Sequence, residues 1–147
     1  MACHVRRKKT ERDFGSGLLL PEKLESAAVM ISTLLFVYGT LKRGQTNHRL
    51  IRNQKFVRKA GTLPKYRLYD LGPYPALVRD LENGLSVRGE IWDVAPDAFG
   101  ELDKLEDVPA QYVREPIEVL GIDDVVEAYI YVRTISPDTR SGCEWPL

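Results

Sequence analysis

The chain has 147 residues, room for one domain with a hydrophobic core, and an ordinary globular composition of 44% apolar and 29% charged residues. Lys+Arg (21) balance Asp+Glu (21), and beyond residue 31 the balance is 15 basic to 17 acidic, which argues against nucleic acid as a partner. Two cysteines, Cys3 and Cys143, stand near opposite ends without metal-ligand spacing, so neither a zinc site nor a disulfide framework is expected, and no apolar run approaches the ~18–20 residues of a membrane span.

Residues 1–32 differ from the rest. They carry the charge block Arg6-Arg7-Lys8-Lys9 and the breaker Gly15-Ser16-Gly17, and read as a disordered N-terminal extension, with an anionic-surface contact or a targeting address as the other readings. Met30, just before the first strand signal, reads as an alternative start. The Gly17–Leu20 run is too short for a signal-peptide core, and a cytoplasmic protein that binds no membrane is expected.

Residues 33–147 read as one domain. Leu34–Tyr38 is a continuous apolar run with β-branched and aromatic members, the pattern of a central strand buried on both faces. The polar stretch Lys42–Asn53 has room for one helical turn. Strands are predicted over Lys55–Gly61 and Tyr66–Leu71, then a hairpin turn at Glu82-Asn83-Gly84 leading into a strand over Ser86–Val94. Pro96 and Asp97 open a helix running to about Glu106, before Pro109 forbids its continuation. Gln111–Leu120 and Val125–Arg133 flank the turn Gly121–Asp124 and pair as a further hairpin. The expected fold is α+β, a small, mostly antiparallel β-barrel with short flanking helices.

Two places carry candidate chemistry. On the helix, Phe99, Leu102 and Leu105 span one apolar arc, while Glu101, Asp103 and Lys104 point to solvent. Glu106 falls inside the apolar arc. Either it sits in a pocket, where burial raises its pKa and suits it to general acid/base work, or the helix frays and the side chain swings into water. At the end of the first strand, Gly39-Thr40-Leu41 is either an ordinary strand-end turn or a nest of free N–H groups that holds an anion, with Lys42 and Arg43 adding positive potential. His48, with no nucleophile motif beside it, reads as structural rather than catalytic. Tyr112 offers a phenol, and Arg114, in phase with it, either neutralises a carboxylate or pairs at the surface with Glu115 or Glu118.

Val37-Tyr38-Gly39-Thr40-Leu41-Lys42-Arg43-Gly44-Gln45 with Asn47-His48, and then Leu102-Asp103-x-Leu105-Glu106-x-Val108-Pro109-Ala110-x-Tyr112-x-Arg114, resemble the two signatures of the γ-glutamyl cyclotransferase-like family. The resemblance spans roughly Leu34 to Trp145 and includes γ-glutamylamine cyclotransferases. The ending Ser141–Trp145 is similar to that of short bacterial and archaeal members. The resemblance implies a mixed barrel with no metal or cofactor. It also implies that the backbone of Tyr38, Gly39, Thr40 and Leu41 holds the substrate's α-carboxylate end, and that Glu106 acts as acid/base. Tyr112 or a backbone N–H would then serve as oxyanion donor. The implied reaction is cyclisation of a small γ-glutamyl amine or peptide to 5-oxoproline with release of the amine. The alternatives are a non-catalytic γ-glutamyl-binding module on the same fold, or a γ-glutamyl transferase using water or an external amine.

Overall fold

The computed structural model describes residues 31–147, so all but the last two residues of the expected extension lie outside the described residues. Strand β1 (Thr33–Val37) is the centre on which the rest is laid. Leu34 and Phe36 point into one hydrophobic cluster, with Tyr38 just beyond the strand end. Leu35 and Val37 point into a second cluster on the opposite face. Side chains alternate along a strand, so an unbroken apolar run requires cover on both sides, as expected here.

The larger sheet has five strands in the order β2 (Lys55–Gly61), β5 (Arg88–Val94), β1, β7 (Val126–Tyr131), β6 (Tyr112–Ile117). β1 runs antiparallel to β5, with Val37 opposite Glu90, and parallel to β7, with Leu35 opposite Glu127. β6 and β7 form the expected hairpin, Tyr112 opposite Tyr131. The polar stretch after β1 holds a single 3-10 turn, His48–Leu50. The helical segment opens with a 3-10 turn, Pro96–Ala98, and continues as α1, Phe99–Leu105. No helix among the described residues is long and apolar enough to cross a membrane.

Three expectations are corrected. The first is the Asn83–Gly84 hairpin. The hairpin partner of β3 (Tyr66–Asp70) is β4 (Pro75–Arg79), a strand not anticipated from the sequence, and β8 (Ser141–Gly142) completes this three-stranded sheet. The β3–β4 connection turns at Gly72, whose φ of 100° is open to glycine. Asn83 and Gly84 have no positive φ, so they do not form the mirror-image turn of a two-residue hairpin. Gly84 is needed for room: a Cβ there would lie 2.5 Å from the Pro64 carbonyl oxygen and 2.7 Å from Lys65 Cα.

The second is the apolar arc of the helix. The helix ends at Leu105 with Glu106 as its C-cap, close to the expected end, but Leu105 is 38% exposed instead of lying on the apolar arc, while Phe99 and Leu102 are buried. The third is the barrel. The five-stranded sheet is open, with β2 and β6 as its edges. Beyond those strands a single bridge joins Thr62 to Val119, flanked by Leu63 N–H to Glu118 O (3.0 Å) and Leu120 N–H to Gly61 O (2.9 Å). Beyond Leu63 the chain leaves for the second sheet.

β5 packs so closely on β1 that Gly89 leaves no space for a methyl group: a Cβ would collide with the Val37 carbonyl and sit 2.7 Å from the Phe36 ring. Gly89→Ala should lower the unfolding free energy by about 1–3 kcal/mol in denaturant titration. Gly100→Ala, in the helix with open space around its Cβ, should raise it by up to ~1 kcal/mol. Equal effects of the two would disprove this account of the packing.

Candidate active site

A cleft opens where β1 ends. It is small and partly open to solvent. Residues 38–41 form one side, Tyr74 and Pro75 another, and Glu106, Tyr112 and Tyr129 the remainder. The sequence-predicted residues Tyr38, Gly39, Thr40, Leu41, Glu106 and Tyr112 are thus brought together, although Glu106 lies more than sixty residues from the loop.

The loop is a tight turn closed by Lys42 N–H to Gly39 O at 3.1 Å and braced by Asn47 N–H to Thr40 O at 2.8 Å. Asn47 Nδ2 also donates to Thr40 Oγ1 at 3.0 Å. Among the described residues, the N–H groups of Gly39, Thr40 and Leu41 donate to no carbonyl and so remain available. Gly39 is required here for packing: a Cβ would lie 2.7 Å from Pro75 Cγ, a ring that cannot swing away. The glycine therefore lets the turn approach β4, and its missing side chain faces the cleft wall.

Lys42 and Arg43 have their side-chain partners away from the loop. Lys42 Nζ donates to Trp145 O at 2.6 Å. Arg43 pairs with Glu90 at 3.1 Å and lies 3.8 Å over the Phe56 ring. Glu90 is buried, but Trp92 Nε1 and the Arg43 backbone and side chain all donate to it; together they outweigh the effect of burial and hold its carboxyl below the usual range. His48 is structural: its Nδ1 lies 2.9 Å from Leu41 O and its ring meets Trp92 edge-on.

Glu106 is positioned by the way α1 ends. It is the C-cap, and the chain closes behind it with Asp107 N–H to Lys104 O (3.2 Å) and Val108 N–H to Asp103 O (3.0 Å). This pair of bonds is a Schellman motif, with Asp107 at φ 53° in the left-handed position. The helix does not fray, and Glu106 is half-buried and held at the cleft. Its carboxylate accepts no hydrogen bond among the described residues. Burial first, and the Asp103 carboxylate second, push its pKa up to about 7.

The surrounding phenols have their protons committed. Tyr38 Oη donates to Tyr129 O at 2.6 Å, and Tyr112 Oη donates to Pro75 O at 2.8 Å. Burial, then the nearby Glu106 charge, raises the pKa of both well above the ordinary phenol value. Tyr74 and Tyr129, which line the cleft, were not singled out from sequence. Tyr74 precedes a strand that was itself unanticipated, and Tyr129 reads as ordinary strand aromatic content.

The family model for γ-glutamyl cyclotransferase, AIG2-like, matches residues 35–146. The chain belongs to this family. It is 46% identical over 85 residues to a putative γ-glutamylcyclotransferase of Vibrio cholerae, covering 58% of this chain and 71% of that one. It is 33% identical over 123 residues to the γ-glutamylaminecyclotransferase of Homo sapiens, covering 71% of this chain and 80% of that one. The crystal structure of an AIG2-like protein from Mus musculus superposes with a TM-score of 0.64 at 30% identity, covering 72% of this chain and 80% of that one.

Within this member of the family, Asp103 is placed otherwise than its sequence pattern predicts, and Arg114 neutralises carboxylates, the first of its two expected roles. Asp103, expected at the surface, accepts Tyr129 Oη at 2.6 Å and Arg114 Nη1 at 3.2 Å. Arg114 pairs with Asp103 and Glu127 rather than Glu115 or Glu118. No group of three or more potential ligands is gathered for a metal ion among the described residues.

A carboxyl that binds its proton more tightly folded than unfolded penalises the folded state once that proton must leave. For Glu106, with about 7 folded against 4.5 unperturbed, stability is lost as pH rises through that window, on the order of 3 kcal/mol in total. Glu106→Gln should therefore unfold at higher denaturant concentration than the parent at pH 8 and show little gain at pH 4. A gain that does not grow with pH would contradict the raised pKa.

Proposed function

We propose that this chain is a γ-glutamyl cyclotransferase that converts a small γ-glutamyl amine or peptide to 5-oxoproline and a free amine, with Glu106 carrying the protons. The observation that carries this reading is one carboxylate without a partner facing a turn of available N–H groups across a small cleft.

In this mechanism the amides of Gly39, Thr40 and Leu41 hold the substrate's α-carboxylate. Pinning that end bends the chain so that its α-nitrogen approaches its own γ-carbonyl carbon. Because both reacting atoms belong to one molecule, orientation alone can contribute ~7–11 kcal/mol in favourable cases. Glu106 in its ionised form takes a proton from the α-ammonium, and the freed amine attacks the γ-carbonyl. A C–N bond forms, the carbonyl becomes a tetrahedral oxyanion, and the amide C–N bond then breaks. The ring nitrogen loses two protons in total and the departing nitrogen gains two, with Glu106 as the carrier between them. A pKa of about 7 suits a group that must both take and return a proton near neutrality. With the Tyr38 and Tyr112 protons donated to backbone carbonyls, neither phenol is free to donate to the oxyanion, and Tyr112 serves chiefly to fix the Pro75 wall.

The non-catalytic binding reading fits less well. A half-buried carboxylate opposes the binding of an anionic ligand and costs stability, so a pure binder gains nothing from it.

Incubation with a panel of γ-glutamyl amines and dipeptides should release 5-oxoproline, with kcat/KM rising through about pH 7 as Glu106 ionises. Glu106→Gln should lower kcat by 10²–10⁴-fold with little change in KM. Glutamate as product would mean hydrolysis, and an undiminished Glu106→Gln rate would remove Glu106 from the chemistry. For the loop, 5-oxoproline should shift the amide resonances of Gly39, Thr40 and Leu41; unmoved signals at saturating ligand would place the carboxylate elsewhere.

A further inference from the structure

Asp103 lies one turn before Glu106, so the two side chains leave the same side of the helix. Its Oδ1 is gripped from two strands, by Tyr129 Oη of β7 at 2.6 Å and Arg114 Nη1 of β6 at 3.2 Å. Arg114 is fixed in turn by Glu127 Oε1, 3.0 Å from its Nε, and by the Phe99 ring, 3.9 Å beneath its guanidinium. An amide oxygen would accept the same two hydrogen bonds. What a carboxylate adds is charge, and one guanidinium between Asp103 and Glu127 leaves that cluster with a net negative charge behind the cleft.

The geometry points to Asp103 as a positioning residue for the reaction: it locks the end of α1 against the sheet through Tyr129 and Arg114, and sets a fixed negative charge behind the Glu106 carboxyl. This inference rests on Glu106 as the proton carrier. A negative neighbour favours the protonated carboxyl, so Asp103 acts in the same direction as burial, and the Arg114 guanidinium paired with Asp103 offsets part of that negative charge. The other groups facing Glu106 are phenols: Tyr38 at the end of β1, Tyr74 before β4, Tyr112 on β6 and Tyr129 on β7. Lys104 and Asp107 flank it on its own segment, both opening to solvent.

The test uses the full chain with Asp103→Asn and Arg114→Gln. The Glu106 carboxyl is titrated by carbon-13 NMR, assigned with Glu106→Gln, and the pH profile of 5-oxoproline release is taken with the best substrate of the γ-glutamyl panel. Asp103→Asn, which keeps both hydrogen bonds, should lower the Glu106 midpoint by about one pH unit. Arg114→Gln should raise it, and the acid limb of kcat/KM should follow each midpoint. A purely structural Asp103 would depress activity equally at every pH with the midpoint unmoved, and that result overturns the inference. If Asp103→Asn does not fold, Arg114→Gln decides alone: an unmoved midpoint rejects the role. Midpoints that move while the kinetic limb stays would instead reject Glu106 as the proton carrier and leave the influence of Asp103 standing.

Discussion

The fold depends on β1 being covered on both faces. Leu35, Phe36 and Val37 are almost fully buried and alternate between two clusters that would otherwise have no common wall. At about 25 cal/mol per Å² of apolar surface, side chains of this size contribute roughly 2–3 kcal/mol each. That requirement fixes the neighbours of β1, β5 on one side and β7 on the other. The site follows from it. The available amides lie at the end of β1, and Tyr129, on the adjacent β7, presents its carbonyl to Tyr38 and its hydroxyl to Asp103. The strand that organises the core therefore also sets the distance between the loop and the helix carrying Glu106.

Against this frame the end of α1 is a local device with a functional consequence. Seven residues of helix have little stability of their own. Three ties compensate: Phe99 and Leu102 packed in the core, the Schellman closure at Asp107, and Asp103 held by Tyr129 and Arg114. With the backbone so constrained, Glu106 cannot escape to bulk water by fraying. It stays at the cleft without a hydrogen-bond donor, and its carboxyl keeps a proton to higher pH than an ordinary glutamate.

Much of this was legible in the sequence because it rests on short-range pattern. The apolar run Leu34–Tyr38 announces a central strand, and the break of phase at Glu106 sets a carboxylate against an apolar arc. Where pattern competes with punctuation the reading failed. Pro73 and Pro75 hid β4, although proline is compatible with the first position of a strand. Asn83-Gly84 looked like a hairpin turn, but its glycine answers to crowding by Pro64 and Lys65, contacts that no local pattern encodes. The same limit explains Asp103. On a helical wheel it falls outside the apolar arc, and only the arrival of Tyr129 and Arg114, 26 and 11 residues away, makes it part of the site.

These contacts separate two kinds of residue within one cleft. Gly39, Tyr38, Tyr112 and Asp103 each satisfy a partner elsewhere in the fold: the Pro75 ring, the Tyr129 carbonyl, the Pro75 carbonyl, and Tyr129 with Arg114. Their loss disturbs packing and chemistry together, so a fall in activity at any of them says little alone about mechanism. Glu106 has no such partner, and its ionised form opposes folding. Stabilisation on its removal together with loss of turnover is what the role proposed for Glu106 requires of a residue kept for chemistry rather than architecture. Asp103 belongs partly to both kinds, since its hydrogen bonds serve the fold and its charge opposes the ionisation of Glu106. Neutralising that charge while keeping the bonds separates the two roles, and the protonation of Glu106 itself is then the quantity that reports which one matters.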